Sequence, residues 1–178
     1  AVSERGVDAL AARLTRAARP VIVIGSQAVG TGSDVTALAA AVGELDVPVY
    51  LSGMARGLLG AAHPLQFRHQ RRQALREADL VVLAGTPCDF RLDYGRQIPR
   101  RTTLVSINRD PLDLKKNRRP DLGLPAPPDL VLRALAAARP TPMARDAWFE
   151  ALRARERERE EDIRRRAAQA VASINPLA

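Results

Sequence analysis

The sequence has few of the residues that build covalent links or metal sites. It contains one cysteine, Cys88, and two histidines, His63 and His69, among 178 residues. A lone cysteine excludes an internal disulfide framework and a zinc site built from several cysteines. The two histidines also lack the spacing of a zinc-binding pair on one helix. We therefore expect a protein of a reducing compartment, the cytoplasm, with no metal site in this chain.

Aromatic residues and long apolar runs are also scarce. Aromatic side chains make up 3% of the sequence, too few for the stacking platform of a protein that binds single-stranded nucleic acid. No apolar run approaches the roughly 18 residues that span a membrane, and the N-terminus lacks a signal-peptide pattern. The sequence thus predicts neither a membrane partner nor a nucleic-acid partner.

The net charge is +8, which in general favours acidic partners. Only two of the 28 basic residues are lysines, Lys115 and Lys116, so arginine carries nearly all of the positive charge. We interpret this bias as an effect of genome composition, in which arginine fills neutral surface positions. A basic nucleic-acid-binding domain is kept as an alternative function.

Short apolar strands alternate with amphipathic helices over residues 1–140. Uninterrupted apolar runs at 21–24 and 80–84 indicate strands buried on both faces, as in a parallel sheet covered by helices. We predict an α/β fold, a three-layer Rossmann-like domain with a mostly parallel, doubly wound sheet. The expected strands cover 21–24, 47–51, 80–84, 102–107 and 122–124. The expected helices cover 3–18, 33–43, 70–77 and 129–136, with Ser3, Ser33 and Asp129 as N-caps.

Beyond residue 140 the sequence becomes a dense mixture of acids and arginines. Residues 146–172 are predicted to form one long charged helix, anchored near its start by Trp148, Phe149 and Leu152. Acids precede bases by four positions, a spacing that stabilises helices, in the pairs Glu160–Arg164, Glu161–Arg165 and Asp162–Arg166. Two interpretations stay open, a solvated helix held by salt bridges and a helix that binds a partner. We divide the chain into a domain over 1–140 and a charged helical linker over 141–178 that leads to a further domain.

The chain lacks the known signatures of catalysis. The sequence contains no G-x-S-x-G elbow, no Walker A lysine, no cluster of metal ligands and no strong nucleophile–base pair. Cys88 follows a strand end, but its neighbours in sequence do not lower a thiol pKa, so it is interpreted as a small buried hydrophobe. His63 is expected in a hydrogen-bonding or surface role. No catalytic residue is therefore predicted in this chain.

A ligand site is better supported, at the carboxyl ends of the predicted strands. Ligands of open parallel sheets bind at this edge, where the strand order reverses. Three segments follow strands there, Gly25-Ser26-Gln27, Gly85-Thr86-Pro87 and Ile107-Asn108-Arg109-Asp110. The first loop is G-x-x-x-x-G-x-G and departs from the usual dinucleotide fingerprint. Two interpretations stay open: a free-standing nucleotide-binding module, or glycines that only turn strands into helices.

An ordered set of motifs carries a family resemblance. It comprises residues 18–25, 45–49, 54–60 with His63-Pro64, 78–85, 85–91 and 105–111. Together they cover roughly 5–138 and resemble the central domain of thiamine-diphosphate-dependent enzymes. Residues 54–60 and 88–96 are most similar to acetolactate synthase-like proteins that act as 2-hydroxyacyl-CoA lyases.

The resemblance implies one α/β domain of three. In this family the two outer domains bind thiamine diphosphate and Mg²⁺ and supply the activating glutamate, and their motifs are absent from this sequence. The chain is then a fragment, inactive alone, which lacks its N- and C-terminal domains. The full-length enzyme is expected to be a C–C lyase or synthase and a homodimer or homotetramer.

The family's functional positions can be placed on this sequence. Asn108 falls where the family has a ribose-binding acid, and Pro128 replaces a glycine beside Asp129. These departures disfavour FAD more than ADP or CoA. The expected nucleotide-binding residues are Gly25, Ser26, Gln27, Gly85, Thr86, Asn108, Arg109 and Asp129. Met54, Arg56 and Arg91 are expected at the substrate channel, where a guanidinium suits a carboxylate or a CoA phosphate.

Overall fold

A six-stranded parallel sheet forms the centre of the molecule. The computed structural model describes residues 2–141 and 144–168. The strands are β1 (Pro20–Ile24), β2 (Val49–Leu51), β3 (Gln66–Phe67), β4 (Leu80–Ala84), β5 (Thr103–Asn108) and β6 (Leu122–Pro125). Their order in the sheet is β3-β2-β1-β4-β5-β6, and every neighbouring pair is parallel. The predicted doubly wound α/β fold is confirmed, with a sheet that is parallel throughout.

Helices cover both faces of this sheet. They are α1 (Glu4–Arg16), α2 (Val35–Gly43), α3 (Arg71–Glu77), α4 (Pro111–Leu114), α5 (Pro128–Ala137) and α6 (Asp146–Ala167). Helices α1, α2 and α5 share one core with the sheet, while α3 and the start of α6 share the other. Short 3₁₀ segments at Ser26–Val29 and Gly53–Gly57 follow β1 and β2. The helices described for residues 2–141 and 144–168 include no candidate for a membrane-spanning segment.

The strand sequences explain the three layers. Successive side chains of a strand point to opposite faces, so an apolar run without alternation fills both cores. In β1, Ile22 and Ile24 lie in the core with α1, α2 and α5, whereas Val21 and Val23 lie in the core with α3 and α6. All five residues of β1 and of β4 are buried. This burial makes the β1–β4 pair the rigid centre of the fold.

The helix starts differ in detail from the sequence predictions. Ser3 caps α1 as predicted, and its hydroxyl accepts a hydrogen bond from Gly6 N at 3.2 Å. The prediction for α2 is wrong by one residue, because Asp34 rather than Ser33 accepts from Ala37 N, at 2.9 Å. Asp129 does not cap α5 either. Asp129 lies inside the first turn, directly after Pro128. Pro128 has no backbone N–H and therefore needs no capping acceptor, and the carboxylate of Asp129 faces Arg109 instead.

Strand β3 was not predicted. It contains two residues and pairs with β2 through Val49–Gln66 and Tyr50–Phe67. A segment this short has too few positions to show a strand period, so its conformation depends on the neighbouring strand.

The start of α6 is fixed to the sheet by buried polar contacts. The Arg145 guanidinium is buried and donates to the carbonyl oxygens of Ala17, at 3.1 Å, Asp46, at 3.0 Å, and Leu14. Trp148 Nε1 donates to Pro20 O at 3.0 Å. Trp148, Phe149 and Leu152 all lie in the core between the sheet and α3, which confirms them as the anchor of the helix.

Ion pairs cover the later turns of α6. Arg164 pairs with Glu160 at 3.7 Å and Arg166 with Asp162 at 3.1 Å, as the spacing predicts. Arg165 pairs with Asp162 at 3.7 Å, which corrects the predicted pairing with Glu161. The predicted continuation of the helix over 169–172 lies outside the described residues.

Replacing Arg145 by alanine is expected to destabilise the fold. The substitution removes hydrogen bonds to three backbone carbonyls and the packing of a buried side chain, so the free energy of unfolding should fall by about 2–3 kcal/mol. Urea unfolding followed by circular dichroism measures this change. The matched control is Arg157→Ala, since Arg157 makes an exposed ion pair with Glu150 and should change stability by less than about 0.5 kcal/mol. Equal effects of the two substitutions would contradict the role given to Arg145.

Candidate functional site

The strand order reverses between β1 and β4. From β1 the chain continues through β2 to β3 on one side, and from β4 through β5 to β6 on the other. The loops that leave β1 and β4 therefore diverge, and they open a crevice at the carboxyl edge of the sheet. Gly25 follows β1 and Gly85 follows β4, so the structure brings the two predicted loops side by side.

Both glycines are required by contacts within the chain. A Cβ on Gly25 would lie 2.2 Å from Thr86 Oγ1 and 2.4 Å from Gly85 O. Gly85 has φ +71°, and a Cβ there would lie 2.9 Å from the Cβ of Gln27. The glycines thus allow the two loops to pack on each other, and this packing sets the width of the crevice.

A small cavity lies between these loops, and we name it the glycine-loop pocket. Its volume is about 190 Å³. Six predicted site residues line it, namely Gly25, Ser26, Gln27, Gly85, Thr86 and Arg91. Ser52, which follows β2, and Asp113 of α4 complete the lining together with Pro87. Cavities that hold a whole small-molecule ligand usually measure roughly 300–1,000 Å³, so this pocket has room for part of a nucleotide.

Two further predicted nucleotide-binding residues, Arg109 and Asp129, join the pocket through Gln27. Its Oε1 accepts a hydrogen bond from Arg109 N at 3.2 Å. The Arg109 guanidinium in turn donates to Asp129 Oδ1 at 3.4 Å. Asn108 is fully buried at the end of β5, and its Oδ1 accepts from Asp110 N at 2.9 Å. The segments that follow β1 and β5 are therefore connected to each other and to α5.

Two of these predicted residues carry unpartnered polar atoms. Within residues 2–141 and 144–168, Thr86 Oγ1 and Asn108 Nδ2 are buried and have no hydrogen-bond partner. Buried polar groups are normally hydrogen-bonded, because an unsatisfied one costs about 1–3 kcal/mol. Thr86 follows β4, where the strand order reverses, and Asn108 ends the neighbouring strand β5.

The predicted substrate-channel residues lie at the rim of the crevice. Met54 is 74% exposed, and its backbone N–H donates to Ser26 Oγ at 3.1 Å, which joins the loops after β1 and β2. Arg91 reaches the pocket, yet its guanidinium is already paired with Asp89 and lies 5.4 Å from the Phe90 ring centroid. The hydrogen bond from Arg91 lowers the pKa of Asp89. Arg91 therefore enters the site as part of an ion pair.

Arg56 lies in a second cavity, which was not identified from the sequence. Its volume is about 520 Å³, and we name it the arginine cleft. Four arginines line this cleft above the buried rings of Tyr50 and Phe67, and they are Arg56, Arg68, Arg71 and Arg72. The four come from three separate segments, and no sequence signal distinguishes them from the chain's many other arginines.

Cys88 and His63 have the roles expected from the sequence. Cys88 is 4% exposed, and burial raises the pKa of its thiol to about 11, so it stays protonated and unreactive near neutral pH. His63 is half-buried, and its Nδ1 accepts a hydrogen bond from Leu65 N at 3.3 Å.

In the part of the chain that the structure describes, one side-chain cluster has the composition of a metal site. His69, Glu156 and Glu160 place possible ligand atoms within 4.8 Å of one another. Both carboxylates already accept hydrogen bonds, Glu156 from the backbone of Arg68 and His69 and Glu160 from the Arg68 guanidinium. These contacts join α6 to the segment between β3 and α3, which accounts for the cluster.

A match to a known protein family covers most of the chain. The family model described as thiamine pyrophosphate enzyme, central domain, matches residues 7–135. The chain belongs to this family. The resemblance inferred from the ordered motifs is thereby confirmed.

Curated relatives of this central domain carry two kinds of name. A 2-hydroxyacyl-CoA lyase 2 from Xenopus laevis is 44% identical over 98% of the chain, and one from Homo sapiens is 41% identical over 92%. An acetolactate synthase large subunit from Mycobacterium tuberculosis is 41% identical over 58% of the chain. The chain spans 29%, 27% and 19% of the lengths of these three relatives.

Substitution of Gly85 by alanine tests the packing of the two loops. An alanine there combines a left-handed backbone with a Cβ 2.9 Å from Gln27, so the free energy of unfolding should fall by about 2 kcal/mol. Gly57→Ala is the matched control, because a Cβ at Gly57 meets nothing within 4 Å. Urea unfolding of both variants measures the difference. If Gly85→Ala proved as stable as Gly57→Ala, the loops would not depend on this contact.

Proposed function

We propose that this central domain is part of a thiamine-diphosphate-dependent enzyme that cleaves or forms a carbon–carbon bond in a 2-hydroxyacyl-CoA. The match to proteins named 2-hydroxyacyl-CoA lyase 2 supports this substrate class, since it extends over 98% of the chain at 44% identity. The acetolactate synthase match covers only 58% of the chain. A synthase acting on 2-keto acids is the related alternative.

The described residues do not fit thiamine diphosphate and its Mg²⁺. Carboxylates at the carboxyl edge of the sheet already have partners. Asp89 pairs with Arg91, Asp113 with Lys116 and Asp129 with Arg109, and Asp110 caps α4 through Leu112 N. Mg²⁺ needs free oxygen ligands, and activation of the cofactor needs a free carboxylate. We therefore propose that domains outside this chain hold both groups and that the chain alone is inactive.

The glycine-loop pocket is proposed to bind part of an adenine nucleotide, as ADP or within CoA. The observation that carries this proposal is the unpartnered Thr86 Oγ1, which is buried beside the pocket. Rotation of the Thr86 side chain about χ1 would bring this hydroxyl to the surface of the pocket, where a ligand hydroxyl or phosphate oxygen would supply the missing hydrogen bond. Asn108 keeps a polar amide where the family has an acid, and its Nδ2 is also unpartnered.

Surface features support partners within the same enzyme. Met54, Phe90, Tyr94 and Leu112 are exposed by more than half of their side-chain area near the carboxyl edge, as expected of a surface that other domains cover. We propose that 1–140 is the central domain and 141–178 the linker to the next domain. The full-length enzyme is proposed to be a cytoplasmic homodimer or homotetramer. We propose no nucleic-acid partner, because arginines such as Arg118 and Arg145 are used within the fold.

Thr86→Val tests the nucleotide pocket. The substitution preserves the side-chain shape and removes the hydroxyl, so affinity for ADP should fall about three- to tenfold. The free energy of unfolding should stay the same or rise by up to about 1 kcal/mol, because the hydroxyl has no partner to lose. Isothermal titration and urea unfolding measure the two quantities. Unchanged ADP affinity, or absence of ADP binding to the unsubstituted chain at millimolar concentration, would contradict the proposal.

The chain without its outer domains is expected to show no lyase activity. An assay of the chain with thiamine diphosphate, Mg²⁺ and a 2-hydroxyacyl-CoA should release no aldehyde above the rate of the buffer. The positive control is a full-length relative assayed under the same conditions. Turnover by the chain alone would show that it holds the cofactor itself and would overturn the proposed division of labour.

A further inference from the structure

A basic surface lies at the amino edge of the sheet, on the side opposite the glycine-loop pocket and the arginine cleft. Two cavities form it, one of about 460 Å³ where β4 and β5 begin and one of about 860 Å³ beside the segments that precede β5 and β6. Asp121 lines both cavities, so the two are neighbours on one side of the molecule. We name the residues that line these two cavities the amino-edge surface.

The amino-edge surface carries more basic than acidic groups. Its charged lining residues are six arginines and two aspartates, namely Arg13, Arg16, Arg96, Arg100, Arg118, Arg119, Asp79 and Asp121. The arginines come from the last turns of α1 and from the segments before β5 and β6. Since these segments are far apart in the sequence, the fold and not the local sequence concentrates the positive charge here.

Both aspartates of this surface are already used to hold the strands. The carboxylate of Asp79 accepts hydrogen bonds from the backbone N–H groups of Ala18 and Arg19 at 2.9–3.0 Å. Asp121 Oδ2 accepts from Leu104 N at 2.7 Å. Within residues 2–141 and 144–168, neither aspartate forms an ion pair with an arginine. The acids therefore leave the arginines of the surface without partners.

Three of these arginines keep their guanidinium groups free. Arg16, Arg100 and Arg119 are exposed, and their side chains form no hydrogen bond or ion pair with another described residue. Arg118 differs, because its guanidinium donates to Pro99 O at 2.9 Å and thereby holds the segment that carries Arg100. Like charges held on one concave surface repel each other, so binding of an anionic partner relieves this repulsion.

The arrangement of the free arginines matches an extended acidic peptide. Neighbouring strands lie about 4.8 Å apart, so the starts of β4, β5 and β6 together span roughly 10 Å. An extended chain advances about 3.3 Å per residue, so three steps along such a chain cover the same distance. Each guanidinium can bind one carboxylate through two parallel hydrogen bonds. A short run of glutamates or aspartates can therefore pair with Arg16, Arg100 and Arg119 together.

Other partners fit this surface less well. A nucleic acid presents a continuous row of phosphates, which the carboxylates of Asp79 and Asp121 would repel. A second copy of this chain carries the same excess of arginine at its own amino edge, so two such surfaces repel each other. Peripheral membrane binding usually buries several apolar side chains, whereas Tyr94 is the one exposed large apolar residue that lines this surface in the described part of the chain.

We propose that the amino-edge surface binds an acidic segment of another protein. Arg16 from α1, Arg100 before β5 and Arg119 before β6 supply the charged donors. Asp121 Oδ1, which has no hydrogen-bond partner among the described residues, accepts a backbone N–H of that segment. The surface lies at the edge opposite the proposed nucleotide site, so this inference does not depend on the proposed function.

Hexaglutamate is the probe that tests this surface, and hexaglutamine is its uncharged counterpart. Isothermal titration of the chain should show saturable binding of one hexaglutamate and no binding of hexaglutamine. The affinity should fall at least about tenfold between roughly 20 and 300 mM salt, because the ions screen the arginines. Arg16→Met, Arg100→Met and Arg119→Met should each lower the affinity about three- to tenfold, the effect of losing one charge-assisted pair. Circular dichroism and thermal unfolding confirm that each variant is folded.

Arg5→Met is the matched control. Arg5 is also exposed, and it lies on the same helix as Arg16 but at the opposite end. This variant lowers the net charge by the same amount, and its affinity for hexaglutamate should stay within about twofold of that of the unsubstituted chain. Absence of saturable binding, or an equal loss of affinity in Arg5→Met and Arg100→Met, would overturn the proposal.

Two further measurements separate the amino-edge surface from other sites and other partners. Arg72→Met, in the arginine cleft, should leave hexaglutamate affinity within about twofold. A larger loss in Arg72→Met than in Arg100→Met would place the acidic segment in the arginine cleft and overturn the proposal. A short DNA duplex or vesicles containing phosphatidylserine should bind more weakly than hexaglutamate. Tighter binding of either one, weakened by Arg100→Met, would also overturn the proposal and indicate a nucleic acid or a membrane as the partner.

Discussion

The parallel pairing of β1 with β4 is the constraint on which the rest of the structure depends. Five consecutive positions pair, from Pro20 with Leu80 to Ile24 with Ala84, and apolar side chains from these strands enter both cores. The register places Gly25 so close to Gly85 and Thr86 that a Cβ on Gly25 would clash with both residues. One pairing therefore fixes the layers, the reversal of strand order and the width of the crevice.

At the carboxyl edge of this sheet, the acidic and the basic side chains differ in whether they already have partners. Acids that follow the strands are held by a base or by a backbone N–H, as Asp89, Asp110 and Asp129 show. The arginines of the cleft are in excess over these acids, so positive charge is what the crevice presents to a ligand. Guanidinium groups in general favour phosphate or carboxylate ligands, because their planar N–H donors match two oxygens.

Helix α6 has a buried, apolar start and charged later turns. Its first turns are apolar and buried, and Arg145 and Trp148 attach them to carbonyls of the chain around β1. Farther along, Arg155 pairs with Glu77 at 2.6 Å and Glu156 accepts from the backbone before α3, so the helix also holds the segment that carries Arg71 and Arg72. The later turns are laced with ion pairs on the helix itself. The position of the arginine cleft thus depends on α6.

The sequence by itself determined the α/β class, the central strands and the glycine loops at their ends, because an uninterrupted apolar run followed by glycine is local information. It also determined the family, through the order of short motifs. Tertiary structure decided strand β3, the unpartnered state of Thr86 Oγ1 and the arginine cleft. Each of these depends on groups far apart in the chain. Arg56 and Arg71 lie on different segments, and only the parallel arrangement of β2 and β3 brings them to one surface.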